Sequence, residues 1–312
     1  MSRKDPVGEL RRFFHAQKLA PADGVLLAIS GGRDSMVLGE AMARLSEEAP
    51  RRWSVATVDH GLRADARKET AFVKAAAKRW GVECDVVRLQ PTADMPHGLL
   101  AWARGARYAA LDKVRLKRKH QWLATAHHAQ DQAETLLVRL ARGGALRGIP
   151  ALRGTVVRPL LSLLPSDLAH FAEKHEVRWM EDPSNRDPQH LRARLRAQVM
   201  PVFQAAAQTD IVEALAQAAL SLHADDDFLN EAAGDLWRDA AGRGELSAAT
   251  VSLKLIKTAP VPLLRRGFVA WLRAAGVVDV SRASLAALCA GHGVRLPGGR
   301  EVRRDGKNLR LM

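Results

Sequence analysis

The sequence predicts an α/β protein: a doubly wound parallel sheet followed by a second, smaller and mainly helical domain. Short, continuous apolar runs alternate with longer amphipathic segments through residues 1–205. Strands that are buried on both faces and alternate with helices are typical of parallel sheets. The net charge also changes along the chain, from +12 over residues 1–205 to −5 over residues 206–264 and +7 over residues 265–312. Because this change follows Pro201, we expect domains at 1–205 and 206–312.

The first domain is expected to contain four strands, each followed by a helix. The strands are apolar runs, and the helices carry apolar residues about every 3.6 positions. In chain order, the predicted strands are 25–29, 53–58, 84–89 and 122–126, and the predicted helices are 36–46, 68–80, 101–118 and 129–142. In the second domain, residues 210–290 are mainly helical in pattern. In the tail, apolar and charged residues alternate on both sides of Pro-Gly-Gly at 297–299. This pattern predicts a small antiparallel sheet.

The composition favours a nucleic-acid partner and excludes several classes of protein. The 312 residues carry a formal net charge of +14, and basic side chains gain free energy by displacing counterions from phosphates. An inert basic surface is the alternative. No apolar run approaches the ~18 residues that span a bilayer, and the N-terminus has no apolar leader. Two distant cysteines, Cys84 and Cys289, exclude a disulfide framework and a cysteine zinc site. We therefore expect a cytoplasmic protein without membrane contact.

A glycine loop, residues 30–35, lies between the first predicted strand and its helix. It consists of Ser30, Gly31, Gly32, Arg33, Asp34 and Ser35. Two adjacent glycines permit close backbone approach, so several N–H groups can face one anion, and the helix N-terminus adds a favourable dipole. Asp34 would repel a bare phosphate, but a divalent cation between the two explains its presence. The loop predicts phosphate binding with Mg²⁺, and an ordinary turn is the alternative.

A second polar cluster, residues 127–135, follows the fourth predicted strand. Asp131 and Glu134 are three residues apart on one face of the predicted helix, and His127 lies four residues before Asp131. A histidine and two carboxylates at one strand end are suited to holding Mg²⁺ and contacting a nucleotide. Alternatively, Asp131 stabilises the helix dipole while Glu134 pairs with Arg139 or faces solvent.

Several further segments combine with the glycine loop into one pattern. They are 59–63, 103–108, 127–135, Arg142-Gly143-Gly144, Arg158-Pro159-Leu160-Leu161, Glu181-Asp182-Pro183-Ser184-Asn185 and 192–201. With these segments the chain resembles the tRNA(Ile)-lysidine synthetases, a family of PP-loop ATPases, in the short form that lacks an extra C-terminal domain. Two positions depart from the family pattern. Gln130 stands where the family often has aspartate, and Ala193 stands in place of an asparagine.

The resemblance implies a fold of the adenine nucleotide alpha hydrolase type and an ATP-dependent ligation. Free L-lysine would be joined to the cytidine at the first anticodon position of the CAU-bearing tRNA(Ile). ATP would adenylate the C2 oxygen of the base with release of pyrophosphate, and the lysine ε-amine would then displace AMP. The implied ATP-binding residues are Ala28, Ser30, Gly31, Gly32, Arg33, Asp34, Ser35 and His60. The implied catalytic residues are Asp34, His127, Asp131 and Glu134, with Asp34 and Asp131 on Mg²⁺; whether Glu134 acts on the metal or on lysine stays open.

Contacts with tRNA are expected in three places. Arg104 and Arg107 match the family's Ala-Arg-x-x-Arg-Tyr segment, and guanidinium groups can stack on a base or bind phosphate. Lys117 and Arg118 belong to a basic run that fits a tRNA-facing helix and, equally, a solvated helix face. Residues 206–312 supply a helical domain with a basic tail. The tryptophans sit mostly in apolar patterns and are interpreted as core residues. A homodimer is left open.

Two other functions are weighed as alternatives. The first is another PP-loop tRNA-modifying enzyme, but a thiolase would need cysteines near the site, which Cys84 and Cys289 do not provide. An ammonia-dependent synthetase would not need a net charge of +14. The second is a non-catalytic RNA-binding protein on a nucleotide-binding fold. A protein of this kind would have lost its catalytic activity, and the presence of both Asp34 and Asp131 argues against that loss.

Overall fold

The computed structural model describes residues 3–59, 66–89, 99–181 and 191–312. The chain divides into two compact units, Met1–Leu220 and Ser221–Met312. Within the described ranges, no helix combines the length and the apolar character that crossing a membrane requires.

The first unit contains a six-stranded sheet. Its strands are β1 (Val25–Ala28), β2 (Trp53–Asp59), β3 (Cys84–Arg88), β4 (Trp122–Ala124), β5 (Leu152–Arg153) and β6 (Val156–Val157). They lie in the order β3-β2-β1-β4-β6-β5, and in this sheet β5 alone runs antiparallel to its neighbour. The register places Val25 of β1 between Trp53 and Trp122. The prediction of an α/β fold with a parallel sheet is confirmed.

Helices cover both faces of this sheet. They are α1 (Pro6–Ala16), α2 (Arg33–Glu48), α3 (Ala66–Arg79), α4 (Leu99–Lys117), α5 (Ala129–Ala141) and α6 (Pro165–Lys174). Neighbouring residues of β1 show the two faces: Leu27 packs in one cluster with Met36 and Leu45 of α2, and Leu26 packs in another with Leu111 of α4. Side chains of a strand alternate between the faces, so β1 joins both halves of the core.

The end of the first unit packs against α5. It contains α7 (Leu191–Arg194), a π-helical turn (Leu195–Val199) and α8 (Met200–Ala206), and α9 then covers Ile211–Gly242. Leu195 and Met200 form a small buried cluster with Ala133 and Leu137 of α5. A π-helical turn widens the helix locally and is frequent at functional sites.

The structure differs from the sequence predictions at several points in this unit, and α6 is one of the elements that were not predicted. The helix after the glycine loop begins at Arg33 rather than Met36, because Gly32 is already its N-cap residue with extended backbone angles. The helix α1 was not predicted, although Leu10 and Phe14 are fully buried core residues. The two-residue strands β5 and β6 were also missed, because such short strands carry no periodic signal.

The second unit combines helices with a small sheet. Its helices are α10 (Leu253–Thr258), α11 (Val261–Ala274) and α12 (Arg282–Cys289), and its strands are β7 (Thr250–Ser252), β8 (Val294–Arg295), β9 (Glu301–Asp305) and β10 (Asn308–Leu311). The strand order is β7-β10-β9-β8, with antiparallel pairing throughout. The antiparallel tail is confirmed, while β7 was not predicted. The core of this unit centres on Phe268, Trp237 and Trp271.

Candidate active site

The glycine loop connects β1 to α2 at the carboxyl edge of the sheet. Gly31 has a φ of +92°, a conformation that favours glycine. Its carbonyl oxygen accepts a hydrogen bond of 2.9 Å from the Met180 N–H, which ties residues 177–181 to the loop. The first N–H groups of α2 have no acceptor within the helix. The loop therefore presents backbone donors at the edge where parallel sheets bind their ligands.

The two serines of the glycine loop close it from both ends. The Ser30 N–H donates to Ser35 Oγ at 3.1 Å, and the Ser35 hydroxyl donates to the Gly32 carbonyl at 2.8 Å. The two hydroxyl oxygens lie 3.1 Å apart. These bonds hold the loop in a fixed shape before any ligand arrives, which lowers the entropy cost of binding.

A histidine that the sequence analysis did not select links the two predicted metal ligands. His128 is the N-cap residue of α5, and its Nδ1 accepts a hydrogen bond from the Gln130 N–H. Its Nε2 lies 3.4 Å from Asp34 Oδ2 and 3.8 Å from Asp131 Oδ2. Asp131 also accepts the His128 N–H at 2.9 Å. His128 therefore brings a carboxylate of α2 and a carboxylate of α5 to one point.

The charges at this point stabilise one another. Burial raises the pKa of Asp34, but the hydrogen bond and charge of His128, together with Arg33, outweigh it and the pKa lies below its usual value. Burial lowers the pKa of His128, but Asp34, Asp131 and Glu134 outweigh that effect and raise it. A buried, hydrogen-bonded pair of opposite charges favours the ionised form of both groups. Asp34 is therefore ready to act as an anion near neutral pH.

His127 has the opposite environment to its neighbour. Burial lowers its pKa to about 4, with Asp131 opposing the shift and Arg158, Arg104 and Arg107 adding to it. Thr125 Oγ1 lies 2.8 Å from His127 Nδ1, which fixes the ring. His127 is a neutral imidazole at physiological pH, so it can form hydrogen bonds with a nucleotide without adding charge.

One cavity of about 640 Å³ joins these groups. Its polar lining comes from the glycine loop, Thr125, His127, Asp131 and Arg196, and its apolar lining includes Ala28, Ala56, Val58 and Leu111. Tyr108, Arg107, Trp179, Met180 and Glu181 complete the wall. This volume is in the range of small-molecule and cofactor sites. The cavity therefore combines an anion-binding loop, two carboxylates and an apolar surface.

Glu134 lies beneath this cavity rather than on its lining. Its side chain is 1% exposed and accepts a bond of 2.7 Å from Arg196 Nε, and the Gln130 amide donates to the same oxygen at 3.3 Å. Arg192, on the preceding turn, donates to Thr135 Oγ1 at 2.9 Å. Solvent exposure was one of the sequence alternatives for Glu134, and the burial of its side chain is incompatible with it. Glu134 instead orients Arg196, which does line the cavity.

The predicted tRNA-binding residues fall into two places. Arg104 and Arg107 lie over Tyr108, each 5.5 Å from the ring centroid, and Arg107 lines the cavity. Lys117 and Arg118 lie at the other end of α4, where both pair with Asp85 of β3. Arg118 also pairs with Glu83. The structure thus brings Arg107, but not Lys117 or Arg118, to the cavity.

Two predicted segments lie outside the described residues. They are His60, with residues 61–63 of its motif, and residues 182–185 of the Glu-Asp-Pro-Ser-Asn motif. Of the second motif, Glu181 is described and lines the cavity.

Three residues of the site were missed by sequence reasoning. His128 was hidden by the more obvious carboxylates beside it, although its place directly before a helix is a capping position. Arg196 lies more than 60 residues from its partner Glu134, so nothing local predicted their contact. The interpretation of the tryptophans as core residues is wrong for Trp179, which is 42% exposed and lines the cavity.

The donor set at the cavity fits Mg²⁺. Asp34 and Asp131 offer hard carboxylate oxygens that converge on one nitrogen, beside a loop suited to phosphate. Among the described residues, no group of three or more acidic, histidine or cysteine side chains forms a complete metal cage. Mg²⁺ is commonly held by one or two carboxylates together with substrate phosphates.

Known proteins resemble the chain in sequence. A PP-loop domain model matches residues 7–203. The tRNA(Ile)-lysidine synthase of Xanthomonas campestris pv. campestris is 42% identical over 191 residues, which cover 59% of this chain and 43% of that protein. The tRNA(Ile)-lysidine synthase of Ralstonia nicotianae is 35% identical over 302 residues, covering 92% of this chain and 62% of that protein. The chain spans about half the length of the curated relatives it matches.

A solved structure shows the same fold. The U34-tRNA thiolase NcsA of Methanococcus maripaludis superposes with a TM-score of 0.56 at 16% sequence identity, over 69% of this chain and 78% of that one. The resemblance that the motifs predicted is confirmed by the sequence relatives. With a domain model that covers well over half of its length, the chain belongs to the PP-loop domain family.

Proposed function

We propose that the protein ligates free L-lysine to the cytidine at the first anticodon position of CAU-bearing tRNA(Ile), using ATP and an adenylated base as intermediate. The observation that carries the proposal is the convergence of Asp34 and Asp131 on His128 beside the glycine loop, within one cavity. The names of the sequence relatives support the choice of substrate. The activity would take place in the cytoplasm, where tRNA, ATP and lysine meet.

The first step requires pyrophosphate to leave. The glycine loop offers backbone N–H groups and the Ser30 hydroxyl to the departing oxygens, while Ser35 holds the loop in shape through its bond to the Gly32 carbonyl. Asp34 and Asp131 would hold Mg²⁺, which when bound neutralises charge that develops on the leaving group. Fixed donors aimed at developing charge lower the barrier because they need no reorganisation during the reaction. His127, neutral and oriented by Thr125, would contact the nucleotide.

The second step requires an amine to approach the activated base. Glu134 is buried and acts by holding Arg196 at the cavity wall. The Glu134–Arg196 pair, with Asp131, sets the charge of the wall that an incoming ammonium group meets. Glu134 is therefore proposed as a positioning residue for the lysine step.

Binding of tRNA would use the positive charge of both units. Arg104 and Arg107 are proposed to contact the anticodon region, because Arg107 reaches the cavity where the reaction takes place. Lys117 and Arg118 are proposed to contribute phosphate contacts further along α4. The tail of the second unit carries arginines on neighbouring strands, with Arg303 of β9 directly opposite Arg310 of β10. Each of these arginines pairs with a carboxylate, Arg303 with Glu301 and Arg310 with Asp305, so a phosphate contact would have to compete with these ion pairs.

The proposal is tested by incorporation of radiolabelled lysine. The full chain is incubated with ATP, Mg²⁺ and a transcript of the CAU-bearing isoleucine tRNA, with the CAU-bearing methionine tRNA as the control. Label in the first tRNA alone, lost in Asp34→Ala, is the expected result. Release of AMP and pyrophosphate without label would instead indicate another PP-loop tRNA-modifying reaction. Absence of both label and AMP would contradict the proposal and favour the RNA-binding alternative.

A further inference from the structure

Trp179 differs from the tryptophans that form the cores. Trp53, Trp237 and Trp271 are each at most 9% exposed, whereas 42% of Trp179 is exposed while it lines the cavity. Leaving an indole in water forgoes the free energy of burying one of the largest apolar side chains. An exposed aromatic ring on the wall of a cavity is therefore a candidate for direct ligand contact.

The backbone at Trp179 is held in place by its neighbours in the chain. The next residue, Met180, donates its N–H to the Gly31 carbonyl of the glycine loop at 2.9 Å. Two residues earlier, Val177 is buried in the core and its N–H donates to the Ala172 carbonyl at 2.8 Å. The backbone on both sides of Trp179 is thus anchored, so a ligand that meets the ring does not have to order this segment.

The charges near Trp179 suit a nucleic-acid strand. Arg33, Arg107 and Arg196 line the same cavity. Unpaired bases of RNA are recognised by stacking on aromatic rings while cationic side chains contact the backbone. An aromatic face with three guanidinium groups in one cavity provides both parts of such a site.

The adenine base of ATP has an apolar surface in the cavity that does not include the Trp179 ring. Ala56, Val58 and Leu111 line the cavity from β2 and α4 and belong to a separate apolar cluster, which offers adenine its own surface. Trp179, in contrast, directly precedes Met180, whose N–H is bonded to the glycine loop. The base to be modified has to reach the α-phosphorus of ATP, which lies next to the pyrophosphate held by this loop, so a ring beside the loop is close to the reacting atoms.

We infer that Trp179 is the stacking platform on which the target base of the RNA is held during the reaction. This inference rests on the proposed function for the identity of that base. Trp179 acts by positioning, and it takes no part in proton transfer or bond formation. Stacking is tolerant of base identity because every base has a π-face, so Trp179 contributes affinity and orientation while other groups select cytidine.

The test compares two RNA stem-loops without ATP, so that binding is measured apart from chemistry. One carries the CAU anticodon, and the other has an abasic residue at the first anticodon position. Fluorescence anisotropy gives the Kd of each RNA for the full chain. In the unsubstituted protein the intact loop is expected to bind about 10- to 100-fold more tightly than the abasic loop. In Trp179→Ala this ratio is expected to fall to about 1, and Trp179→Phe, which keeps an aromatic ring, is expected to retain most of it.

Trp122→Phe is the matched control. Trp122 lies at the start of β4 and donates its indole N–H to Asp23 Oδ2 at 3.3 Å, outside the cavity lining. For the Trp122→Phe variant, the ratio of the Kd values for the abasic and intact loops should equal that of the unsubstituted protein. An unchanged ratio in Trp179→Ala would overturn the inference, as would a loss of ATP affinity in that variant with the RNA ratio intact.

The two proposals fail in different ways. If the ratio collapses in Trp179→Ala but no lysine is incorporated by the unsubstituted protein, the stacking site stands and the proposed reaction is wrong. If lysine is incorporated but the ratio is insensitive to Trp179, the reaction stands and the stacking site is wrong.

Discussion

Buried histidines lie at both edges of the six-stranded sheet, the carboxyl edge where the parallel strands end and the amino edge where they begin, but their surroundings differ. At the carboxyl edge, His127 and His128 lie at a cavity with Asp34, Asp131 and several arginines. At the amino edge, where β1, β2 and β4 begin, His120 is 5% exposed and its Nε2 lies 2.9 Å from the Ser54 hydroxyl. A buried histidine by itself therefore does not distinguish a reactive site from a structural one.

The difference lies in where the polar groups find their partners. At the amino edge, Arg52 donates to the backbone carbonyls of Asp23 and Lys119, and Arg115 donates to the His120 carbonyl at 2.9 Å. The protein itself supplies these acceptors. Unpartnered polar atoms occur at both edges: the Tyr108 hydroxyl and Arg158 Nε at the carboxyl edge, and His120 Nδ1 at the amino edge, are buried without a hydrogen bond among the described residues. What distinguishes the carboxyl edge is its cavity, where Asp34, Asp131 and Arg107 face a space that a ligand can fill.

The strongest test of this contrast is Asp34→Asn at the carboxyl edge. Loss of the charge removes a predicted Mg²⁺ ligand and the ionic partner of His128. We expect tRNA-dependent pyrophosphate release to fall about 100- to 1000-fold. Asp112→Asn is the control, because Asp112 pairs with Arg115 on α4 and does not line the cavity. Retention of more than a tenth of the rate in Asp34→Asn would contradict the assignment.

At the amino edge, Gly24→Ala should affect stability instead of catalysis. Gly24 has a φ of +74°, and an added Cβ would lie 2.3 Å from His120 Nδ1. Backbone strain and overpacking together should lower the free energy of unfolding by about 3 kcal/mol. Gly81 has a similar φ of +71°, but no atom lies within 4 Å of the Cβ that Gly81→Ala would add. We therefore expect its free energy of unfolding to fall by only about 1 kcal/mol. Urea denaturation measures both, and equal losses would show that the close contact with His120 is unimportant.

The neutral state of His127 predicts a dependence of stability on pH. Its pKa is about 4 in the folded protein and about 6.5 in an unfolded chain. The unfolded state therefore binds more protons below pH 6.5, and stability falls as the pH decreases from 6.5 towards 4. His127→Gln removes this contribution, so its loss of stability between pH 7 and pH 4.5 should be smaller by about 2 kcal/mol. Urea titrations at both pH values give the difference, and parallel losses in the two proteins would refute the assigned protonation state.

The smallest effect is expected for Lys117→Ala. Lys117 is largely exposed, and its partner Asp85 keeps the shorter contact of 2.6 Å with Arg118. Stability should change by less than about 0.5 kcal/mol. If Lys117 contacts one tRNA phosphate, the slope of log Kd against log salt should decrease by about 1. An unchanged slope in a filter-binding titration would assign the basic run of α4 to the solvated helix face.

The local sequence was sufficient to predict the parallel sheet and the position of the glycine loop between β1 and α2. Buried strands such as β1 and β2 are continuous apolar runs, and the helices between them carry a clear apolar stripe. The two glycines and two serines of the glycine loop lie within six residues, so their joint role follows from backbone geometry alone. Elements without periodicity, such as β5 and β6, gave no such signal.

Only the tertiary structure decided how distant residues combine at the cavity. Asp34 and His128 are on different helices, and Arg196 reaches Glu134 from the turn that follows α7. Trp179 is exposed next to Met180, whose N–H is bonded to the glycine loop, and the local pattern encodes neither feature. Sequence determines which groups each strand end carries, because that depends on neighbours in the chain. Their pairing, burial and pKa depend on neighbours in space, and those exist only once the sheet has formed.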